Sequence, residues 1–378
     1  VENVGSPDLP TDAITMKPAR PDPRTLLELD PALVAARERY QREREKRMRA
    51  DGSAQYRDLA SEGAHNDVDP FVEPGFTRAP IEAETEVVVI GGGFGGLLMA
   101  VRLLEVGIED FRIIEAAGDF GGTWYWNRYP GVQCDVESHI YMPLLEEIGT
   151  VPSEKYAHGP EIFAHAQAIG RHYDLYERAS FQTQVSALEW DEAAKRWIVR
   201  TDRDDRIGAR FVCMATGPYS KPKLPGIPGI EQFRGHMFHT SRWDYAYTGG
   251  DTTGGLTKLA DKRVGVIGTG ATAIQCVPHL GRDAAAVYVF QRTPSSVDVR
   301  DNAPTDPGFA ATLEPGWQQR RMDNFNILMD GGFQEEDLVG DRWTELTRGL
   351  YEALAQLPGD AAPTDEQSAP AAENGALA

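Results

Sequence analysis

Two short apolar runs organise this chain, and each is followed by a glycine-rich turn and an amphipathic stretch. The first run, Val87 to Ile90, is continuous and β-branched, which is how a strand buried on both faces reads. It breaks at Gly91, and FGGLLMAVRLLEVG from Phe94 then returns apolar residues at helical spacing. FRIIEAA from Phe111 reads as the next strand. From Glu86 onward, strand, tight turn, helix and strand make a βαβ unit, so the sheet is expected to be parallel. A second unit begins at Arg263 with RVGVI, a GTG turn, the helical ATAIQCVPHLG and the strand AVYVF. RWIVRT and ARFVCMATG, between the two units, read as further short strands. Upstream, Pro31 to Arg49 predicts a helix with opposite charges three and four residues apart, packed on the body through Leu33, Tyr40 and Met48. Residues 1–30 are rich in Pro and Asp, and from Pro358 there is almost no large apolar side chain, so both ends are expected to be loosely ordered.

Composition narrows the partners. A formal net charge of −20 repels phosphate backbones and anionic bilayers, so neither nucleic acid nor a membrane is expected. No apolar run reaches the length of a membrane span, and the opening VENVGSPDLPTD does not read as a signal peptide. Cys134, Cys213 and Cys276 are scattered and off any metal-ligand spacing, and they read as reduced thiols of a cytoplasmic protein. Nothing in the sequence sets an oligomeric state.

The turns carry the candidate chemistry. Gly91-x-Gly93-x-x-Gly96, with Gly95 beside the last, lies between strand and helix, the context in which this motif binds a dinucleotide. Its glycines permit the tight turn, the approach of backbone to pyrophosphate and close helix–strand packing, while the helix N-terminus offers free N–H groups to phosphate. Glu115 ends the next strand 19 residues beyond Gly96, where a carboxylate accepts ribose hydroxyls and repels a 2′-phosphate. The first site therefore suits FAD or NAD. Gly268-x-Gly270-x-x-Ala273 repeats the arrangement, but 19 residues beyond Ala273 stands Arg292. A guanidinium there can pair with a 2′-phosphate, so the second site is expected to prefer NADPH. The predicted fold is α/β, with two Rossmann-like dinucleotide-binding domains at 81–230 and 231–357, an N-terminal helical extension over 1–80 and a tail over 358–378. Two sites of opposite ribose chemistry imply hydride transfer from NADPH to a bound flavin.

Between the turns lies Phe233-x-Gly235-x-x-x-His239-Thr240-x-x-Trp243-Asp244. In this position the segment resembles that of the Baeyer–Villiger monooxygenases, flavoenzymes that insert one oxygen atom of O2 beside a ketone carbonyl to give an ester or lactone. Heteroatom-oxidising flavin monooxygenases carry a related motif, with Ser after the His and Tyr in the Trp place. The resemblance continues in GDFGGTWYWNRYPGVQCDVES, from Gly118 to Ser138, which wraps the flavin in that family. It implies FAD at the first site, with Gly121, Gly122, Thr123 and Trp124 along the cofactor. Gln133, Cys134 and Asp135 would lie near the isoalloxazine, with Tyr141 and Val185 as further contacts. On chemistry alone, Trp124, Tyr125, Trp126 and Tyr129 fit an ordinary aromatic core too. At the second site the resemblance implies that Gly268, Thr269, Gly270, Ala271, Thr272, Ala273, Ile274, Arg292 and Thr293 hold NADP(H).

The same resemblance gives His239 and Trp243 to a linker that couples domain motion to catalysis. It has Asp135 facing the flavin and pairing with an Arg that stabilises developing negative charge. No segment beyond the NADP motif matches the one that supplies this Arg, so Asp135 is expected to lack a cation unless Arg300 or Arg320 substitutes. Likeness to the family ends near Tyr351, and the chain is expected to be an incomplete enzyme with an unpaired edge on its flavin domain. NFNILMDGG resembles the subgroup that accepts large cyclic or polycyclic ketones, so a ketone and O2 are the expected partners.

Overall fold

The structure, a computed structural model, describes residues 31–58, 69–218, 222–292, 294–295 and 297–355. The expectations for residues 1–30 and 358–378 fall outside them. The chain divides into two compact units, one running from Met48 to Met322 and the other made of the stretches up to Arg47 and from Asp323 onward.

The larger unit begins with β1 (Tyr56–Asp58), after α1 (Pro31–Arg47) of the other unit. The first βαβ unit follows as β2 (Glu82–Ile90), α2 (Phe94–Glu105) and β3 (Phe111–Ile114), in the predicted order. Next come α3 (Gly159–His172), β4 (Ala179–Ser180), and a meander of β5 (Val185–Asp191), β6 (Arg196–Thr201) and β7 (Arg206–Met214). Its six strands form one sheet in the order β4-β3-β2-β7-β6-β5. Strand β2 pairs parallel to both β3 and β7, while β5 and β6 extend the sheet antiparallel. Strand β2 starts at Glu82, not at Glu86, because the ladder from Glu82↔Arg206 onward recruits polar residues that hydrophobicity alone passes over.

Alternation along β2 explains where the core sits. Val87 and Val89 face Leu97, Phe111, Ile113, Phe120 and Ile169 on one side of the sheet. Val88 and Ile90 face Ile114, Val199 and Ile207 on the other. Burying each such side chain contributes roughly 1.5–3 kcal/mol, which makes this strand the axis of the unit. A third cluster gathers Trp124, Tyr129, Cys134, Trp243, Cys276, Leu280 and Trp317.

The second βαβ unit is smaller. After β8 (Lys223–Pro225), which pairs antiparallel with β1, it comprises β9 (Arg263–Ile267), α4 (Ala271–Asp283) and β10 (Ala286–Phe290). Its two strands are parallel and in register from Ala286↔Arg263 to Phe290↔Ile267. Ile267, Tyr288, Val289 and Phe290 are exposed on this sheet.

Helix α1 forms as predicted, with Glu38–Arg42 and Glu43–Lys46 pairs along it. Tyr40 and Met48 are exposed. A stretch so dense in Arg and Glu keeps its few apolar groups among solvated neighbours. The side chain of Leu33 lies outside the described residues. Helix α5 (Trp317–Met329) spans the boundary between units, and α6 (Arg342–Ala355) follows, its first turn capped by Asp341 through the N–H groups of Trp343 and Thr344. Asn324 ties the 336–338 loop by donating to the Glu336 carbonyl and accepting from the Leu338 N–H. Among the described residues no helix is long and apolar enough to cross a membrane.

Candidate cofactor sites and the segment between them

The first glycine turn is built so tightly that only glycine fits. Gly91 adopts φ +112°, and a Cβ on it would stand 2.3 Å from the Ala215 carbonyl oxygen. A Cβ on Gly96 would stand 1.8 Å from the Gly91 oxygen. Gly93 caps α2 without a side-chain acceptor, leaving the helix N-terminus to offer its N–H groups outward. The segment after β3 returns over this turn: the Gly121 N–H donates to the Gly92 carbonyl at 2.9 Å, and a Cβ on Gly122 would lie 2.7 Å from Gly93 Cα. This close double layer of glycine backbone, under an uncapped helix start, fits a pyrophosphate cradle. Thr123 opens the one-turn helix Thr123–Trp126 and is exposed.

Glu115 lies under the turn. It is buried, and its carboxylate accepts the N–H of Gly92 and, at 2.7 Å, that of Ala117. Burial raises its pKa, against those backbone donors. The carboxylate thus braces the turn itself, a task that the ribose argument alone did not reveal.

The predicted flavin segment divides between core and surface. Trp124 and Tyr129 are buried in the third cluster, and the Trp124 indole N–H donates to the Tyr141 hydroxyl at 3.1 Å. The Gln133 amide donates to the Tyr156 carbonyl at 2.5 Å. Cys134 is buried, its Sγ donates to the Val136 carbonyl at 3.2 Å, and burial pushes its thiol up to about 11. Val185 sits in β5 against the cluster on the far face of the first sheet.

Asp135 is exposed, and Arg300 Nη2 stands 3.8 Å from its Oδ2. The expectation that no cation faces Asp135 is therefore corrected. Arg320 is directed elsewhere, to the carbonyls of Pro315 and Glu314. Backbone pairing explains the arrangement. Residues 302–305 double back along 153–156, with Lys155 N–H donating to Ala303 and Thr305 N–H to Ser153. The Asn302 side chain accepts the Tyr156 N–H at 2.9 Å. Glu137, buried two residues beyond Asp135, pairs with Arg321. These contacts span well over a hundred residues, and no local motif announces them.

At the second turn, Gly268 adopts φ +107°, its N–H donates to the Phe290 carbonyl, and Gly270 caps α4 without a side-chain acceptor. Added Cβ atoms on Gly268 and Gly270 would meet nothing within 4 Å, so this uncapped helix start opens on free space that suits a phosphate. Thr269 accepts from the Gln291 amide at 3.4 Å. Ala273 is buried, while Ala271 and Ile274 are exposed and Thr272 is half-buried on the first turn of α4. Arg292 lies two residues past β10, donating to Gln55 Oε1 at 2.7 Å and to the Tyr56 hydroxyl at 3.2 Å. Thr293 lies outside the described residues. Gln275 of α4 ties this helix to the 129–133 stretch of the predicted flavin segment. It accepts the Tyr129 hydroxyl at 2.9 Å and donates to the Gln133 carbonyl at 2.8 Å.

The segment Phe233–Asp244 is more than a connector. Trp243 is buried in the third cluster, edge-on to Phe238, with its indole N–H on Thr248 Oγ1. Trp243 is thus part of a packed core as well as of the segment between the two turns. His239 Nδ1 accepts the Ser241 N–H at 3.2 Å, which leaves the ring proton on Nε2. Burial, and then the charge of Arg242, hold His239 below the usual histidine range, so the ring is neutral at pH 7. Asp244 accepts the Tyr247 N–H at 3.0 Å and pairs with His236 at 2.8 Å. The Tyr245 hydroxyl donates to the Arg128 carbonyl, and the Arg242 guanidinium lies 3.7 Å above the Trp126 ring. A cavity of about 460 Å³ opens here, lined by Phe71, Met237, His239, Arg242, Trp243 and Tyr245 among others.

Residues 88–324 match the family model described as pyridine nucleotide-disulphide oxidoreductase. The chain is 59% identical over 334 residues to neopentalenolactone D synthase of Streptomyces avermitilis, covering 88% of this chain and 56% of that one. It is 53% identical over 339 residues to a Baeyer–Villiger monooxygenase of Streptomyces coelicolor, covering 89% and 56%. Among solved structures it resembles the polycyclic ketone monooxygenase of Thermothelomyces thermophila, with a TM-score of 0.77 at 41% identity, over 83% of this chain and 54% of that one. The chain thus spans a little over half the length of the relatives it matches.

Proposed function

The chain belongs to the pyridine nucleotide-disulphide oxidoreductase family, and from that premise we propose that it serves a Baeyer–Villiger oxygenation, in which one oxygen atom of O2 enters beside a ketone carbonyl to give an ester or lactone. The division into a flavin domain over 81–230 and a nicotinamide domain over 231–357 is part of this proposal. FAD at the first turn would supply oxygen activation, and NADPH at the second would supply the hydride. The glycine layer at 91–96 and 121–122 would hold the flavin pyrophosphate, and Glu115 would keep a 2′-phosphate out. Gly268 to Ile274 would hold the second pyrophosphate, with Arg292 choosing NADPH over NADH. A ketone and O2 would be the small-molecule partners, and likeness to a polycyclic ketone monooxygenase favours a large cyclic ketone. Three free cysteines, two of them buried, agree with a cytoplasmic setting.

One observation carries this reading: the Asp135–Arg300 pair, on a chain that also holds both turns and the complete Phe233–Asp244 pattern. Asp135 would orient the guanidinium, and Arg300 would place positive charge where negative charge develops on the oxygen that attacks the carbonyl. Trp243 and His239 would act by position, holding the segment against the core. The test is the visible spectrum of purified protein after addition of FAD, followed by NADPH oxidation with a bulky cyclic ketone or an organic sulfide. Flavin bands and ketone-dependent lactone support the proposal. Oxidation of the sulfide alone would point to heteroatom oxygenation, and absence of bound flavin would overturn it.

A further inference from the structure

Arg292 is held from a direction the motif does not foretell. Its two acceptors, Gln55 and Tyr56, lie more than 230 residues upstream, in a strap preceding the first βαβ unit. The strap is fixed by backbone: β1 pairs with β8 from Tyr56↔Pro225 to Asp58↔Lys223, and the Gly226 N–H donates to the Gln55 carbonyl at 2.8 Å. A Cβ on Gly226 would lie 2.5 Å from that carbonyl, so the approach requires glycine. The Gln55 amide nitrogen donates to the Gly52 carbonyl at 2.7 Å, which turns Oε1 toward Arg292. Neither acceptor is charged. They orient the guanidinium without neutralising it, whereas a carboxylate in their place would compete with a phosphate for it. These bonds take two of its five N–H donors, and the cation stands beside the turn whose Thr269 meets Gln291, its chain neighbour.

We propose that Gln55 and Tyr56 are specificity-determining residues, which pre-set Arg292 to receive the ribose 2′-phosphate of NADPH. This rests on the assignment of the second turn to NADPH. An unfixed Arg side chain loses rotamer freedom when it is immobilised, and the strap removes much of that cost before the ligand arrives.

The test uses the full chain and equilibrium titration with NADP+ and NAD+, without turnover. Arg292→Ala should cost NADP+ about a hundredfold in affinity and leave NAD+ nearly unchanged. Gln55→Ala with Tyr56→Phe should cost NADP+ about tenfold and NAD+ less than twofold. If Arg292→Ala discriminates between the two nucleotides and the double variant does not, the role of the strap is overturned while the NADPH assignment stands. If Arg292→Ala weakens both nucleotides equally, the assignment fails and the inference falls with it. Should the double variant unfold, Tyr56→Phe decides alone, because it removes one hydroxyl from an exposed ring. Selective loss of NADP+ then supports the role, and unchanged affinity overturns it.

Discussion

The two glycine turns share one sequence grammar and differ in almost everything around it. At the first, added Cβ atoms would strike backbone at 1.8 and 2.3 Å, and the residue proposed to face the ribose, Glu115, is buried and bonded to the turn. At the second, Gly268 and Gly270 have open space, and the residue proposed to face the ribose, Arg292, is exposed and held by a distant strap. The first turn lies in a six-stranded sheet with core on both faces, the second on a two-stranded sheet. A motif therefore specifies the turn and the charge, while the surrounding layers decide how rigidly the site is held. A sealed turn suits a cofactor that stays, and an open one suits a cofactor that exchanges with each cycle.

The largest effect should come from breaking the sealed turn. Gly96→Ala forces a Cβ into the Gly91 carbonyl, with no flexible side chain to yield, and should cost about 3 kcal/mol or more. A melting temperature near that of the parent, with full flavin content, would show that the turn can relax. Next, Arg300→Ala should lower ketone oxygenation by ~10²–10³ while NADPH binding stays constant. Lactone formation at the parent rate would remove Arg300 from the reacting centre.

A third test concerns the turn between β6 and β7 of the first sheet. Asp205 is buried, which opposes its charge, but a bidentate bond from Arg78, the Thr201 hydroxyl and the Ile81 N–H together hold its pKa below the usual carboxylate value. A depressed carboxylate contributes stability that is present above its unfolded pKa. That stability is lost as pH falls through the folded value, here below 3.8. Asp205→Ala should cost about 3 kcal/mol at neutral pH and shrink the difference from the parent in strong acid. A difference independent of pH would contradict the linkage. The smallest stability effect belongs to the open turn. Gly270 has φ −75° and no neighbour for an added Cβ to strike, so in Gly270→Ala stability should change by less than about 1 kcal/mol while NADP+ affinity falls. A large loss of stability would erase the contrast between the two turns.

Local patterns found what is local. Val87–Ile90 and the two turns were legible because continuous β-branched runs and glycines act within a few residues of themselves. The pairing of Arg300 with Asp135 was not, since it depends on residues 302–305 lying along 153–156. Gln55 and Tyr56 carry no motif at all, and only the β1–β8 ladder brings them to Arg292. Trp243 was read as part of a linker because its motif is recognised by spacing, and spacing does not reveal the Phe238 and Thr248 contacts that bury it.

Cys134 is next to Asp135 in sequence, where an oxygenase would leak hydrogen peroxide whenever its cycle misfires. Peroxide attacks the thiolate and hardly touches the thiol. With burial pushing its pKa up to about 11 and its Sγ donating to the Val136 carbonyl, Cys134 stays a thiol at pH 7. The same burial that places Cys134 in one core with Trp124 and Tyr129 would then shield its sulfur from peroxide, should the proposed oxygenation release any.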